Sequence, residues 1–233
     1  MIIDFHSHVL PRIDDGSRSL EMTRDLLMES KRQGITVQVA TPHFYASHND
    51  PANFLKKRAE SYALVKPVAE ELGIELLLGA EVAYFRDIGE SKDLDSFLIG
   101  DTDLLLLEMP FRQWTDKDIR DVKMIQRKGI LPIIAHIERF LSFQKDKGPM
   151  EMLFSTDAVL QVNAEALLSF GTRGKVLKLF KEGKAKLLAS DCHNTSDRPQ
   201  NLQKGREMID RKLGQSTLAL IDEMGEKLLS RRR

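Results

Sequence analysis

Three junctions in this chain are near copies of one another: Gln33-Gly34-Ile35, Leu72-Gly73-Ile74 and Lys128-Gly129-Ile130. Each follows a long amphipathic stretch and precedes a short aliphatic run. Each therefore reads as a helix stopped by glycine and followed at once by a strand. Ser17 or Ser19 can cap the first such helix, Asp50-Pro51 opens the second, and Thr115 with Asp118 forms a capping pair for the third. Strands are expected at 2–5, 35–40, 74–78, 103–107, 130–135, 157–162 and 186–189, with helices near 202–213 and 216–229. Residues 84–101 read as a loop with a short helix. Strands that are apolar on both faces and alternate with helices form a mainly parallel sheet under helical cover. About seven such units predict an α/β chain closed into a distorted (β/α)7 barrel, with an open doubly wound sheet as the alternative. No linker or composition shift divides the chain, so residues 1–233 are expected to form a single domain.

Lys and Arg total 35 and so do Asp and Glu, for zero formal net charge. That balance argues against a nucleic-acid-binding surface, which needs a basic excess. It leaves room for a small anion held by a few arginines. The run Arg231-Arg232-Arg233 reads as a solvated tail. No basic and apolar leader is seen, and no apolar run reaches the roughly 20 residues of a membrane span. Cys192 is the sole cysteine, so there is no intrachain disulfide. A cytoplasmic protein without membrane insertion is expected.

The chemistry begins at His6-Ser7-His8, at the end of the first apolar run. Alternation along a strand points both imidazoles the same way. His43 follows the second expected strand, Glu81 the third, Glu108 the fourth, His136 the fifth, and Asp191 and His193 the seventh. His48 lies in a polar loop and reads as surface. The C-terminal ends of parallel strands are where barrel active sites are built. Imidazoles and carboxylates without paired thiolates suit manganese, iron or zinc at a catalytic centre, and the donors outnumber the needs of one ion. Arg139 and Arg198 lie close by in sequence, and a guanidinium suits a phosphate in fork geometry.

His6-Ser7-His8, Asp14-Asp15-Gly16, Thr41-Pro42-His43, Gly79-Ala80-Glu81, Glu108, Ala135-His136-Ile137-Glu138-Arg139-Phe140 and Ser190-Asp191-Cys192-His193-Asn194 resemble the polymerase-and-histidinol-phosphatase (PHP) superfamily. They are most similar to its bacterial CpsB/YwqE-type protein-tyrosine phosphatases of capsular and exopolysaccharide synthesis. The resemblance implies a PHP-type metallophosphatase domain with a Mn2+-favouring site of two or three ions. It implies that His6, His8, Glu81 and Asp191 hold one ion, Glu81, Glu108 and His136 a second, and Asp15, His43 and His193 a third. Asp14 competes with Asp15 for the last role, and Asp15 is favoured. Arg139 and Arg198 would grip the phosphate, and cation-activated hydroxide would attack phosphorus. The implied substrate is a phosphotyrosine-bearing protein, a bacterial tyrosine autokinase. The alternative is a small monoester such as histidinol phosphate. The chain departs from the family at Ile137, where proline is usual, and at Cys192.

Cys192 through Arg198 also fits C-x5-R, the pattern of cysteine-dependent phosphatases. That chemistry needs an exposed thiolate cradled by glycine-rich backbone. Here the loop has no glycine, carries Asp197, and meets Pro199 straight after the arginine. A structural cysteine is expected.

Overall fold

The structure, a computed structural model, describes residues 1–231. Its strands are β1 (Ile3–Ser7), β2 (Val37–Ala40), β3 (His43–Phe44), β4 (Glu75–Leu78), β5 (Glu81–Ala83), β6 (Leu104–Glu108), β7 (Leu131–Ile134), β8 (Val159–Asn163) and β9 (Ala185–Ala189). Its helices are α1 (Leu20–Arg32), α2 (Pro51–Leu72), α3 (Asp116–Arg127), α4 (Gly148–Phe154), α5 (Ala164–Leu168), α6 (Phe170–Lys181), α7 (Leu202–Leu213) and α8 (Gln215–Leu229). One sheet has the order β1-β2-β4 and the other β3-β5-β6-β7-β8-β9. All the pairs are parallel.

The two sheets are one barrel with breaks in two staves. β3 continues β2 beyond Thr41-Pro42, and β5 continues β4 beyond Gly79-Ala80. Glu81 N donates to Pro42 O at 3.1 Å, bridging the two broken staves. Closure comes where the end of β9 meets β1: Asp191 N donates to His6 O at 2.9 Å and His8 N to Cys192 O at 2.8 Å. Counting each broken pair once gives the seven expected staves. The short pieces β3 and β5 are too brief to leave a pattern in the sequence.

The expected caps form. Ser19 accepts from Met22 N, Asp50 from Asn53 N, and Thr115 with Asp118 makes a reciprocal box. The Arg112 guanidinium forks the same Asp118 carboxylate at 2.7 and 2.8 Å. Burial works against that charge, but Arg112 and the cap hold the Asp118 pKa down to about 2. The three repeated junctions carry Gly34, Gly73 and Gly129 at φ of 77°, 71° and 78°, a conformation that a Cβ disfavours. Residues 84–101 hold two 3-10 turns, Ile88–Glu90 and Leu94–Phe97. Helices α4 to α6 were not expected. No N-cap side-chain hydrogen bond opens α4, α5 or α6, and two glycines interrupt α6.

All five residues of β6 are buried. Leu105 and Leu107 pack outward in the layer shared with the helices, while Leu104 and Leu106 pack inward with Phe5, Val39, Ile133 and Leu187. Each such side chain contributes roughly 2 kcal/mol by burial. Leu228 of α8 joins the inward group, with Met224 against it, closing the floor with hydrocarbon. The polar centre therefore has only the opposite end of the barrel, where the strands finish. No helix among the described residues is long and apolar enough to cross a membrane. Arg231 pairs with Asp103; Arg232 and Arg233 of the basic run lie outside the described residues.

Candidate metal centre

β1 does not deliver its histidines by simple alternation from the strand's start. Ile3 and Phe5 already face the barrel interior, so an unbroken strand would turn His6 outward. The β1–β2 register shifts between Asp4 and Ser7, from Asp4 opposite Gln38 to Ser7 opposite Ala40. One extra residue in β1 re-aims the side chains beyond it. Asp4, before the slip, faces outward and accepts from Ser190 Oγ at 2.6 Å and Gln200 Nε2 at 2.9 Å. His6, after it, faces inward with Phe5.

The predicted donors converge. The Nε2 atoms of His6 and His8 are 3.1 Å apart. Glu81 Oε2 lies 3.1 Å from His6 Nε2, 3.4 Å from His8 Nε2 and 2.9 Å from His43 Nδ1. Glu81 Oε1 lies 2.8 Å from His136 Nε2, which is 3.4 Å from Glu108 Oε1. Asp191 Oδ1 stands 3.4 Å from both His6 and His8 Nε2. Asp15 Oδ1 is 3.5 Å from the Nε2 atoms of His43 and His193. Three sets each offer donor atoms within 4.8 Å of one another: His6, His8 and Glu81; His43, Glu81 and Glu108; His8, Asp15, His43 and His193. Glu81 sits at the middle, fully buried. His48 is exposed on its loop.

Asp14 and Asp15 divide their roles. Asp14 accepts from His8 Nδ1 at 2.6 Å, His43 N at 3.0 Å and Gly16 N at 2.9 Å. It fixes the His8 tautomer and leaves Nε2 facing the cage. Asp15 is 67% exposed at its side chain and reaches in from the rim. Gly16 allows this loop to close: a Cβ there would lie 2.4 Å from His8 O.

β8 supplies a layer that sequence reasoning missed. Gln161 Oε1 accepts from His6 Nδ1 at 3.2 Å and from His136 N at 2.9 Å. Gln161 Nε2 donates to Asn163 Oδ1, and Asn163 Nδ2 donates to Asp191 Oδ2 at 2.7 Å. The available signal was two amides at alternate positions of a strand otherwise read as apolar. His136 and Asp191 both sit at positive φ, 29° and 54°, a strain that clusters where geometry is imposed by function.

The donors fit a cation. Glu81 Oε2 and His43 Nδ1 are buried and lack hydrogen-bond partners despite their 2.9 Å approach. Burial opposes the charges of Glu81 and Asp191, yet the surrounding imidazoles hold both pKa values well below the carboxylate range. Burial likewise opposes protonation of His8 and His136. Asp14 lifts the first well above its usual value, and Glu108 with Glu81 lifts the second to about 9. Burial and the neighbouring His8 push His193 down to about 3. Without metal, protons on imidazoles balance the carboxylates, and bound cations would displace them.

Two guanidiniums flank the mouth. Arg139 Nη2 donates to Asp191 Oδ2 at 2.8 Å and Arg198 Nη2 to the same oxygen at 2.6 Å. Arg198 Nη1 also donates to His193 Nε2 at 2.7 Å. Cys192 is on the other side of the β9–β1 seam. Its thiol is buried beside the Gln38 and Gln200 amides, and burial, with Asp4 nearby, pushes its pKa up to about 12. That thiol is no nucleophile. Ile137 is fully buried in the outer layer and sits in the turn Ile137–Arg139 that carries Arg139.

Residues 2–229 match the family described as "Capsular polysaccharide synthesis, CpsB/CapC". The tyrosine-protein phosphatase CpsB of Streptococcus agalactiae serotype III (strain NEM316) is 30% identical over 226 residues, covering 91% of each chain. The tyrosine-protein phosphatase YwqE of Bacillus subtilis (strain 168) is 27% identical over 237 residues, covering 98% of this chain and 91% of its own. The fold superposes with a TM-score of 0.86, at 24% identity and over 100% of this chain and 96% of the other, on a crystal structure from work on YwqE of Bacillus subtilis and CpsB of Streptococcus pneumoniae, there called unique metal-dependent tyrosine phosphatases.

Proposed function

We propose, from the premise that this chain belongs to the CpsB/CapC family of capsular polysaccharide synthesis, that it is a metal-dependent protein-tyrosine phosphatase working as one PHP-type domain over residues 1–233. The observation that carries this reading is Glu81, a buried carboxylate with imidazole nitrogens on both oxygens and two arginines at the adjoining mouth. His6, His8, Glu81 and Asp191 would hold one cation, Glu81, Glu108 and His136 a second, and Asp15, His43 and His193 a third. Manganese is the metal we propose, as the family resemblance implies, and the mixed imidazole and carboxylate donors suit iron or zinc as well. Bound cations supply hydroxide at neutral pH and neutralise charge on the phosphoryl oxygens.

The chain's own residues do the rest. Arg139 and Arg198 already converge on one carboxylate oxygen of Asp191. A phosphoryl group at the mouth offers them a second, more highly charged anion. Their remaining N–H groups then bind phosphoryl oxygens as negative charge spreads over them. Gln161 and Asn163 keep His6 and Asp191 aimed, so little reorganisation is needed during reaction. The phenol oxygen leaves with little help, since the tyrosine hydroxyl has a pKa of about 10. The substrate we propose is the tyrosine-rich tail of a membrane-associated autokinase that controls capsular or exopolysaccharide synthesis. A flexible tail can present its phosphotyrosine to a mouth at the rim of the barrel.

Turnover of a phosphotyrosine peptide and of histidinol phosphate, under equal manganese, separates the two candidate substrates. The expected result is a kcat/KM at least about a hundredfold higher for the peptide, roughly 3 kcal/mol of transition-state preference. Preference for histidinol phosphate would move the reading to a small-monoester phosphatase on the same site.

A further inference from the structure

The loop after β6 carries an aromatic side chain that neither the core nor the donor cage requires. Phe111 is 49% exposed, yet its loop is fixed on both sides. Trp114 Nε1 donates to Pro110 O at 3.0 Å, Gln144 Nε2 donates to Arg112 O at 3.0 Å, and the Arg112 guanidinium is forked on Asp118. The Phe111 ring is backed by the fully buried Phe140 at 4.9 Å between centroids and meets Phe143 in a T-shaped contact at 6.2 Å. It also lies 6.2 Å from the His136 ring, with the two planes 26° apart.

Phe111 therefore extends the wall of the cage outward from His136 as an apolar surface carried on a braced loop. Phe111 and the 40% exposed Phe143 adjoin there, a paired aromatic surface beside the polar mouth that an apolar group of a ligand can cover. A phosphate monoester gripped by Arg139 and Arg198 has one group left to place outside the cage, its alcohol portion. The geometry points to Phe111, with Phe143 at its edge, as the platform on which the substrate's aromatic ring stacks, and so as the residue that favours aryl over alkyl phosphate monoesters. This rests on the phosphotyrosine reading above. Two aromatic rings pack well at centroid separations of about 4.5–7 Å. An alkyl chain such as that of phosphoserine would cover little of the ring.

Binding of two non-hydrolysable probes, phenylphosphonate and methylphosphonate, to manganese-loaded protein by calorimetry tests this without relying on turnover. Wild type is expected to bind the phenyl compound roughly tenfold more tightly. F111A and F111L are expected to lose most of that preference with manganese content unchanged, and F111W to keep it. F111L preserves apolar bulk and guards against a variant that merely misfolds. A wild type without phenyl preference, or an F111A and F111L pair that retains it, overturns the platform. Equal weakening toward both probes also overturns it, because Phe111 would then act through His136. Phenyl preference in a protein that fails to hydrolyse phosphotyrosine peptide would sink the phosphatase reading and leave the platform standing.

Discussion

Stripping the protein with a strong chelator is expected to cut hydrolysis of a phosphotyrosine peptide by about a thousandfold or more, and manganese is expected to restore it. The size of the effect comes from the cage. Without cations, the described site offers no nucleophile: Cys192 is buried with its pKa pushed up to about 12, and the imidazoles are engaged with carboxylates. The arginines would still bind phosphate, so KM should change less than kcat. The melting temperature should fall as well, because cations that bind only the folded state stabilise it by mass action. Activity that survives in fully metal-free protein would contradict the mechanism.

Glu81→Gln is expected to be the most damaging single substitution, with a loss of roughly 10³-fold or more in kcat. The amide matches the carboxylate in shape but removes its charge and turns one oxygen into a donor. Glu81 contacts His6, His8, His43 and His136, so this one change reaches every cation the cage is proposed to hold. Metal content should fall along with activity, while far-UV circular dichroism should stay that of the folded protein. Glu108→Gln should be milder, because Glu108 pairs only with His136 among the described ion pairs and stands at the edge of the cluster. A Glu81→Gln protein that keeps its full metal complement and activity would remove Glu81 from the centre of the site.

Most of the barrel could be read from the chain because its punctuation is local. Gly34, Gly73 and Gly129 stop helices through their own backbone conformation, and Ser19, Asp50 and Thr115 start them through bonds to residues three positions on. The donors could be read because strand ends can be located from apolar runs, and nearly every histidine falls at one. The features that escaped depend on contacts between distant segments. The register slip in β1 exists only relative to β2. Gln161 and Asn163 look like interruptions in an apolar strand until β8 is laid beside β1 and β9. Asp14 and Asp15 are indistinguishable by type, and only the fold turns the first toward His8 and leaves the second at the rim. Phe111 reads as one more aromatic until the loop that pins it is built.

Anomalous scattering at the manganese edge, from crystals grown with excess manganese, tests the central claim most directly. Two or three strong peaks are expected, each in contact with Glu81 or with the group of His8, Asp15, His43 and His193, and none elsewhere in the barrel. A single peak, or peaks outside the ring formed by His6, His8, Asp15, His43, Glu81, Glu108, His136, Asp191 and His193, would contradict it.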